Sequence, residues 1–422
     1  MKLLDSTART CSEKTDFMYL LDTPVVYHCH HFNLFLEQTI DDALGWEEGQ
    51  KVRFNAAREA ARQLLSGVIK AAEAETPAER LQVATTLFKK MGHGTLQILS
   101  DYEGGEAFGE YLHYGYSWLQ KYGHTVKQLH PNDLFAAGYI AAAVEVVYGL
   151  EPDAMLVTET ECSSMKAPRC AFTVTKQISD EPFKALPTIS KELCESAEIT
   201  FETGLHEDKI IAIANGLRDF TAQVEGDERG LVEAFGVFVT MHLPSYYNRI
   251  SYDTEAWIQE NRPQVRFALT ELLKESGHVC VFNTFGGILS SMEWEGMLGK
   301  PSTDPHELLA SFIAIGRALG FGKWTIKDFI PGEKLVLRTP TSYESAYFTV
   351  RHGESDVPNN YFVQGAAQAI MTLIDDLDWS QEIDFSQDLY LSLFKKGAKW
   401  DTQETSSLST GAAYTEVVVQ RN

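Results

Sequence analysis

The sequence predicts an α+β fold built from two tandem copies of one domain, each an antiparallel sheet packed with helices. The stretch LFKKMGHGTLQI in the first half is repeated as AIGRALGFGKWTI in the second, so that Gly92 and Gly94 match Gly320 and Gly322 at an offset of 228 residues. Within the first copy, helices, two strands, a helix and two further strands follow one another, which is an order typical of α+β domains. A chain of 422 residues is also too long for one hydrophobic core of ordinary size, which predicts two domains.

The elements of the first copy are predicted in order from local patterns. A short strand follows Thr23-Pro24, and one helix opens with a proline in its first turn and stops at Gly92. The turn EGGE predicts a pair of strands, and small apolar residues predict a closely packed helix around Asn132. The full set is a strand at 25–27, helices at 33–45, 55–75, 77–90 and 131–149, two strands within 94–118, and strands at 154–161 and 170–176.

Four segments are expected along the chain. Residues 1–20 are predicted to form a polar N-terminal arm, and residues 21–176 the first domain. Residues 177–230 read as a charged connector, and residues 231–422 as a degenerate repeat of the first domain. Duplication followed by loss of chemistry in one copy predicts one working site per chain, supported by a second, pseudo-symmetric domain.

Composition narrows the class of function. The net charge is -23 at pH 7 and no basic run is present, so the chain repels phosphate backbones and nucleic-acid binding is not expected. The longest apolar stretch is interrupted by Glu145, so no membrane span is expected. Six scattered cysteines and a polar start predict a cytoplasmic protein. The expected partner is a small organic molecule, and the sequence leaves open whether the chain forms a homodimer.

Cys162 and Cys170 are the first candidate metal ligands. They are separated by a short turn between two predicted strands, and thiolates suit iron or zinc. Two further ligands would complete a tetrahedron, and the candidates are Glu159 or Glu161 together with His113 or His124. The alternative interpretation is a pair of buried, unliganded cysteines.

The run His28-Cys29-His30-His31 is the densest group of soft donors in the chain. In a strand, His28 and His30 share one face, where two imidazoles could bind iron, copper or zinc, and His31 belongs to the same predicted metal site. Glu37 could add a carboxylate, and Asn33 could orient a ring. The alternative is a polar strand end whose histidines satisfy backbone carbonyls.

His93 lies between two glycines in the first copy, and its counterpart in the second copy is Phe321. A histidine in one copy and a phenylalanine in the other predict a pocket position that gained polarity, which makes His93 the candidate catalytic residue. The alternative is a histidine with a role in the turn only. The aromatic residues predicted to line the pocket for a flat apolar molecule are Trp118, Tyr114 and Phe135, although an aromatic core would use the same residue types.

These motifs resemble the 4-vinyl reductase domain family, on Glu161, Cys162, Cys170, Phe172 and Val174 and on the two glycine pairs. The resemblance covers about two-thirds of the chain if both copies count. It implies a small α+β fold that binds hydrophobic or aromatic molecules, tetrapyrroles among them, and a zinc ion held through the cysteine pair. The sequence departs from the family in the turn between the cysteines, which has Ala-Pro-Arg in place of Gly-Asp, and it lacks the DNA-binding and ATPase segments of related regulators.

Two functions from different classes are therefore expected. The first is a metal-assisted enzyme acting on a small organic molecule, with an oxidoreductase favoured over a hydrolase and iron or zinc as its transition metal. The second is a non-catalytic sensor, carrier or chaperone with a structural metal. The second copy is predicted to hold no metal. Its counterpart of Cys162 is Ser406 or Ser407, its counterpart of Cys170 is Tyr414 or Thr415, and none of these is a good soft ligand.

Overall fold

A computed structural model describes residues 9–126, 128–177, 187, 189–195, 203–340, 342–396 and 399–422. Three antiparallel sheets and the helices packed on them form this part of the chain, so the α+β class is confirmed. Within the described residues, no helix is both long and apolar enough to cross a membrane.

The first half contains seven strands and five helices before its connector. The strands are β1 (Arg9–Cys11), β2 (Met18–Leu20), β3 (Thr23–Cys29), β4 (Gln97–Asp101), β5 (Gly104–Gly109), β6 (Met155–Glu161) and β7 (Cys170–Lys176). The helices are α1 (His30–Leu44), α2 (Trp46–Ala71), α3 (Pro77–Lys90), α4 (His113–Tyr122) and α5 (Leu134–Tyr148), followed in the connector by α6 (Lys191–Cys194) and α7 (Glu207–Thr221).

The second half repeats this order with additional short helices. Its strands are β8 (Val232–Ala234), β9 (Val237–His242), β10 (Thr325–Ile330), β11 (Lys334–Thr339), β12 (Trp400–Ser406) and β13 (Thr415–Arg421). Its helices are α8 (Pro244–Asn261), α9 (Arg266–Cys280), α10 (Gly287–Leu289), α11 (Met292–Leu298), α12 (Pro305–Ala318), α13 (Tyr343–His352), α14 (Tyr361–Asp376) and α15 (Gln387–Phe394).

Each half has a four-stranded sheet with the same topology. The strand order is β4-β5-β7-β6 in the first half and β10-β11-β13-β12 in the second. Both sheets have an irregularity at the same place, between Glu159 and Glu161 in one and between Glu404 and Ser406 in the other. The sequence repeat therefore corresponds to a repeat of strand order and of β-bulges.

The repeated glycines have a backbone reason. Gly92 and Gly94 have φ values of 84° and 106°, and Gly320 and Gly322 have 89° and 111°. This left-handed region disfavours side chains, and a Cβ at Gly94 would lie 2.3 Å from the carbonyl oxygen of Tyr111. The pattern thus marks the same tight passage from a helix to a sheet in both halves.

One predicted strand region is helical instead. The strand pair within 94–118 ends at Gly109, and helix α4 begins at His113. Its buried residues His113, Tyr114, Ser117 and Trp118 are spaced three or four apart, which is the spacing of one helix face. Aromatic residues favour strands in isolation, but tertiary burial at helical spacing outweighs that preference here.

The two halves share the third sheet, whose order is β1-β2-β3-β9-β8. Strands β3 and β9 pair antiparallel across the halves, with Tyr27 opposite Met241. The expected polar arm differs from the structure, because β1 and β2 extend this sheet and the residues Phe17, Met18, Tyr19 and Leu20 are buried. The connector also packs on the second half, where Glu207 of α7 pairs with Arg317 of α12 at 2.7 Å.

Candidate functional site: a sulfur–carboxylate cluster and a histidine-lined interior

Cys162 and Cys170 meet at one edge of the first-half sheet. Cys162 follows the last residue of β6, Cys170 is the first residue of β7, and a 3₁₀ turn (Ser163–Met165) joins them. Both side chains are buried, and their sulfur atoms are 3.7 Å apart. Two sulfurs that each lie about 2.3 Å from a tetrahedral zinc ion are separated by about 3.8 Å, so the spacing already fits one ion.

The β-bulge selects the carboxylate. Glu161 is exposed and lies 4.0 Å from Arg169, whereas Glu159 is buried on the side of the thiols. The ligand atoms of Glu159, Cys162 and Cys170 all lie within 4.8 Å of one another, and no other group of three such donors occurs among the described residues. One oxygen of Glu159 has no hydrogen-bond partner there, so it is available to a further ligand.

A space bounded by the thiols remains open because residue 115 is glycine. A Cβ at Gly115 would lie 2.8 Å from the sulfur of Cys170, 3.2 Å from that of Cys162 and 3.7 Å from Oδ2 of Asp133. Asp133 caps helix α5, and its Oδ2 atom beside this space accepts a hydrogen bond from the backbone N–H of Gly115 at 3.1 Å. The sequence patterns had not singled it out, although an aspartate at a helix start is visible as an N-cap.

The charges in this cluster are strongly coupled. Burial opposes ionisation of Cys162, but hydrogen bonds from the thiol of Cys170 and the hydroxyl of Ser164 outweigh it and lower its pKa to about 5. The same hydrogen bond between the thiols, together with burial, raises the pKa of Cys170 well above its usual range. Burial likewise raises the pKa of Glu159 and of Asp133. A cation would compensate this buried negative charge.

The second half has hydroxyl groups at the corresponding positions. Ser407 follows β12 and Thr415 begins β13, which resolves the alternatives left by the sequence. The Ser407 hydroxyl accepts a hydrogen bond from the Asn360 amide at 3.1 Å. Ser345 stands at the third position of α13, as Gly115 does in α4, and its hydroxyl lies 3.3 Å from that of Thr415. A side chain thus occupies the space that is open in the first half, and no sulfur is present.

The histidine cluster is arranged differently from the prediction. Strand β3 ends at Cys29 and helix α1 starts at His30, so strand alternation does not place His28 and His30 on one face. The rings of His30 and His31 lie with centroids 4.0 Å apart and are tilted by 37° to each other. The physical reason is that Phe32, Leu36 and Ile40 are buried at helical spacing, which draws the chain into a helix directly after Cys29.

Glu37 is also engaged elsewhere. It forms an ion pair with Arg53 at 2.6 Å, and the hydroxyl of Tyr246 donates to it. Burial raises the pKa of Glu37 to about 7, although Arg53 opposes the shift. The predicted set of His28, His30, His31 and Glu37 is therefore not brought together around one point, and the cysteine pair forms a separate site.

His93 lies in a closed, aromatic interior of the first half. Its ring stacks on Phe135 with centroids 4.6 Å apart, and His242 from strand β9 lies 4.9 Å from it. Tyr114 donates to or accepts from the Nε2 atom of His242 at 3.0 Å. Tyr114 and Phe135 thus lie beside this interior, whereas the ring contact of Trp118 is with Tyr122 at 5.7 Å.

The interior contains an unusual number of unpaired ring nitrogens. Both nitrogens of His93 lack a hydrogen-bond partner among the described residues. The nearby backbone of Met241 acts to raise the pKa of His93. Burial nevertheless lowers the pKa of His93 to about 3, so the ring is neutral. His113 also faces this region, and its Nε2 atom lies 2.9 Å from the amide of Asn33.

The contribution of His242 was not predicted from the sequence. It belongs to the second half, and its position in the first-half interior depends on the pairing of β3 with β9. The sequence feature that could have identified His242 is the similarity of the two strand segments that precede α1 and α8. In both segments a histidine stands two residues before the helix.

Comparison with known proteins gives little further information. No protein-family model matches the chain, and no curated protein matches it. A structural comparison matches part of the chain to a solved structure described as the crystal structure of the phenol-responsive sensory domain of the transcription activator PoxR with phenol. That similarity covers 40% of this chain and 85% of that chain, at 17% sequence identity and a TM-score of 0.34.

Proposed function

We propose that this chain is a small-molecule-binding protein of the 4-vinyl reductase domain type. In this proposal the interior around His93 receives a small aromatic molecule with a hydroxyl group, and the thiol cluster of the same half holds a structural metal ion. The observation that supports it best is the buried His93 ring, which has two unpaired nitrogens inside an aromatic wall.

The chemistry of His93 defines the ligand. A neutral imidazole has one donor and one acceptor, and a hydroxyl group can satisfy either nitrogen. Leaving a buried polar group unpaired costs about 1–3 kcal/mol, which a matching ligand would recover. Phe135 at 4.6 Å and Phe88 at 5.2 Å provide ring faces for an aromatic body.

The donor set of the thiol cluster fits a metal ion. Cys162, Cys170 and Glu159 would hold it, and two sulfurs with a carboxylate oxygen suit zinc better than a hard cation. All three donors are buried, and a site closed to solvent is more typical of structural than of catalytic zinc. The metal would tie β6 and β7 together beside the interior. For this reason we favour a binding function over metal-assisted catalysis, and His93 is assigned to ligand contact.

Titrations with two fluorinated probes, 4-fluorophenol and fluorobenzene, followed by ¹⁹F NMR, test the function. We expect 4-fluorophenol to bind more tightly than fluorobenzene, because only the phenol can pair with His93. The variant His93→Phe, which introduces the residue found at position 321, should weaken 4-fluorophenol by about tenfold, the equivalent of one hydrogen bond of about 1.4 kcal/mol. It should leave fluorobenzene nearly unchanged.

The matched control is His124→Phe, since His124 is exposed and lies outside the interior. This variant should bind both probes as the native chain does. Equal binding of 4-fluorophenol by the native chain and by His93→Phe would contradict the assignment of His93, and no binding of either probe to the native chain would contradict the function.

A further inference from the structure

Two histidines face each other where the connector helix α7 meets the second half. His206 is the N-cap residue of α7, and His306 lies in the first turn of α12. The Nε2 atom of His206 is 3.4 Å from the Nδ1 atom of His306, and the ring centroids are 5.5 Å apart. His206 is exposed and His306 is partly buried, so the space around the two nitrogens is open to water. We call these two residues the His206–His306 pair.

The distance between the two nitrogens fits a metal ion better than a hydrogen bond. Hydrogen bonds from N–H donors are usually about 2.7–3.2 Å long, so a separation of 3.4 Å is long for one. Two imidazole nitrogens that each lie about 2.0–2.1 Å from a tetrahedral ion are separated by about 3.3–3.4 Å. Neighbouring ligands of a square-planar or octahedral ion would be only about 2.9 Å apart. The spacing therefore matches tetrahedral coordination, which is the geometry of zinc.

The backbone at His206 is fixed by contacts on both sides of it. The N–H group of Leu205 donates to the carbonyl oxygen of Ile326 on strand β10 at 2.9 Å. On the other side, Glu207 accepts two hydrogen bonds from Arg317 of α12, at 2.7 and 2.9 Å. His206 is thus held between two points at which the connector is attached to the second half.

His206 has a backbone conformation that residues with a side chain rarely adopt. Its φ of 58° and ψ of 22° lie in the left-handed region, which is unfavourable for a residue with a Cβ. An N-cap side chain commonly accepts a hydrogen bond from the first turn of its helix, but within α7, which is described throughout, His206 accepts none. Its ring is directed to His306 instead. A strained residue whose side chain does not stabilise its own helix marks a candidate functional position.

His306 is also oriented by its neighbours. Its backbone N–H donates to the side chain of Asp304, the N-cap residue of α12, at 2.8 Å. Its ring packs against Phe329 of β10 in a T-shaped arrangement, with centroids 5.0 Å apart. Both histidines are therefore positioned before an ion binds, which reduces the conformational entropy that binding would cost.

The charges around the pair favour a cation. Glu307 directly follows His306 and forms an exposed ion pair with Lys209 at 2.9 Å. The pKa of the Glu307 carboxyl is lowered mainly by its hydrogen bond to Lys209, and positive charge on His206 lowers it further, so this carboxylate lies near the His206 ring. The chain as a whole carries a net charge of -23. A divalent cation at this position would meet a negative surface.

We propose that the His206–His306 pair binds a zinc ion between α7 and α12. The Nε2 atom of His206 and the Nδ1 atom of His306 are its two protein ligands, and water completes the tetrahedron. Both rings are then neutral and carry their hydrogens on the other nitrogen. Because only two protein ligands hold the ion, it exchanges with the solution, and while bound it clamps the connector to the second half. The site is independent of the thiol cluster and of the His93 interior.

The experiment is a zinc titration of the full-length protein, followed by ¹H–¹⁵N NMR of the histidine rings. We expect the ring signals of His206 and His306, assigned by their loss in the variants, to shift together with one affinity. His206→Asn removes one ligand and introduces a residue that tolerates the left-handed region. It should weaken zinc binding at His306 by about tenfold or more, because a single imidazole remains. His306→Gln should weaken binding at His206 in the same way.

The matched control is His124→Asn, which removes another exposed histidine and should leave the response of both rings unchanged. Ring signals that do not shift in the native chain, at zinc concentrations in excess of the thiol cluster, would overturn the proposal. An equal response of His306 in the native chain and in His206→Asn would also overturn it, since each ring would then bind zinc alone. Neither histidine is a donor of the thiol cluster, so a cluster without zinc and a normal ring response would contradict only the proposed function.

Discussion

His28 and His242 occupy equivalent positions in the two halves, and the ring of each contacts residues of the opposite half. Each lies just before a helix, on strands β3 and β9, and each ring enters the aromatic interior of the opposite half. The pairing of these strands is symmetric, since Val26 faces His242 and His28 faces Thr240. Tyr247 contacts both histidines, at 4.9 Å and 4.4 Å. Neither interior is complete without a strand from the other half, so each half contributes a histidine to the interior of the other.

The thiol cluster should lose its metal when its two cysteines are replaced by the residues that stand at the corresponding positions of the second half. In the double variant with Cys162→Ser and Cys170→Thr, we expect zinc content to fall from about one ion per chain to none, because hydroxyl groups are poor zinc ligands. Elemental analysis after purification with zinc present measures this. Cys194→Ser changes a buried cysteine outside the cluster and should keep the full content. A native chain without zinc, or a double variant with it, would contradict the site.

Stability should depend on pH through His93. Its pKa is about 3 in the folded protein and about 6.5 when unfolded, so the unfolded chain binds the proton first as the pH falls. Between these values His93 lowers the free energy of unfolding by about 1.4 kcal/mol for each pH unit of acidification. The free energy of unfolding of His93→Phe, measured relative to that of the native chain, should therefore rise by about 1.4 kcal/mol for each unit by which the pH is lowered from 6 to 4.

Urea unfolding at several pH values provides the measurement for His93. Leu87→Ala is the control, since it removes buried apolar surface and no titrating group. Its effect on the free energy of unfolding should be the same at each pH. A pH-independent difference for His93→Phe as well would show that the ring is not kept neutral by burial.

Helix packing in the second half should not tolerate a side chain at Gly365. A Cβ there would lie 1.8 Å from the backbone oxygen of Lys274 on helix α9, so α14 would have to move away. We expect Gly365→Ala to lower the free energy of unfolding by about 1–3 kcal/mol or more. Gly216 in α7 is the matched control because nothing lies within 4 Å of its Cβ position. Gly216→Ala should be neutral or stabilising by up to about 1 kcal/mol in urea unfolding, and similar losses in both variants would argue against the close contact.

The buried ion pairs of Arg53 should be essential for stability. Arg53 bridges Glu37 at 2.6 Å and Asp41 at 2.7 Å, and its removal would leave the buried Glu37 and the partly buried Asp41 without a cation. Arg53→Met should therefore cost about 3–5 kcal/mol in thermal or urea unfolding. Lys51→Met removes an exposed ion pair on the same helix and should have no measurable effect. A mild effect of Arg53→Met would mean that water or a neutral carboxyl replaces the bridge.

Local patterns were sufficient for much of the fold. The helix Pro77–Lys90 has the predicted bounds, since a capping box at Thr76 and Glu79 and a glycine after its end encode them in adjacent residues. The repeated glycine pairs and the strands that flank the cysteines were likewise predictable. These features depend on neighbouring residues and on backbone conformation, which a sequence displays directly.

The composition of the sites required the tertiary structure. Whether Glu159 or Glu161 faces the thiols depends on a bulge, and the space beside them depends on Gly115 and Asp133, which approach from two helices. The histidine run was separated because helix α1 begins inside it, and His242 reached the first-half interior through strand pairing. Donor sets of this kind are assembled by contacts between residues far apart in the chain. Their energies depend on burial and on distances that no local pattern contains.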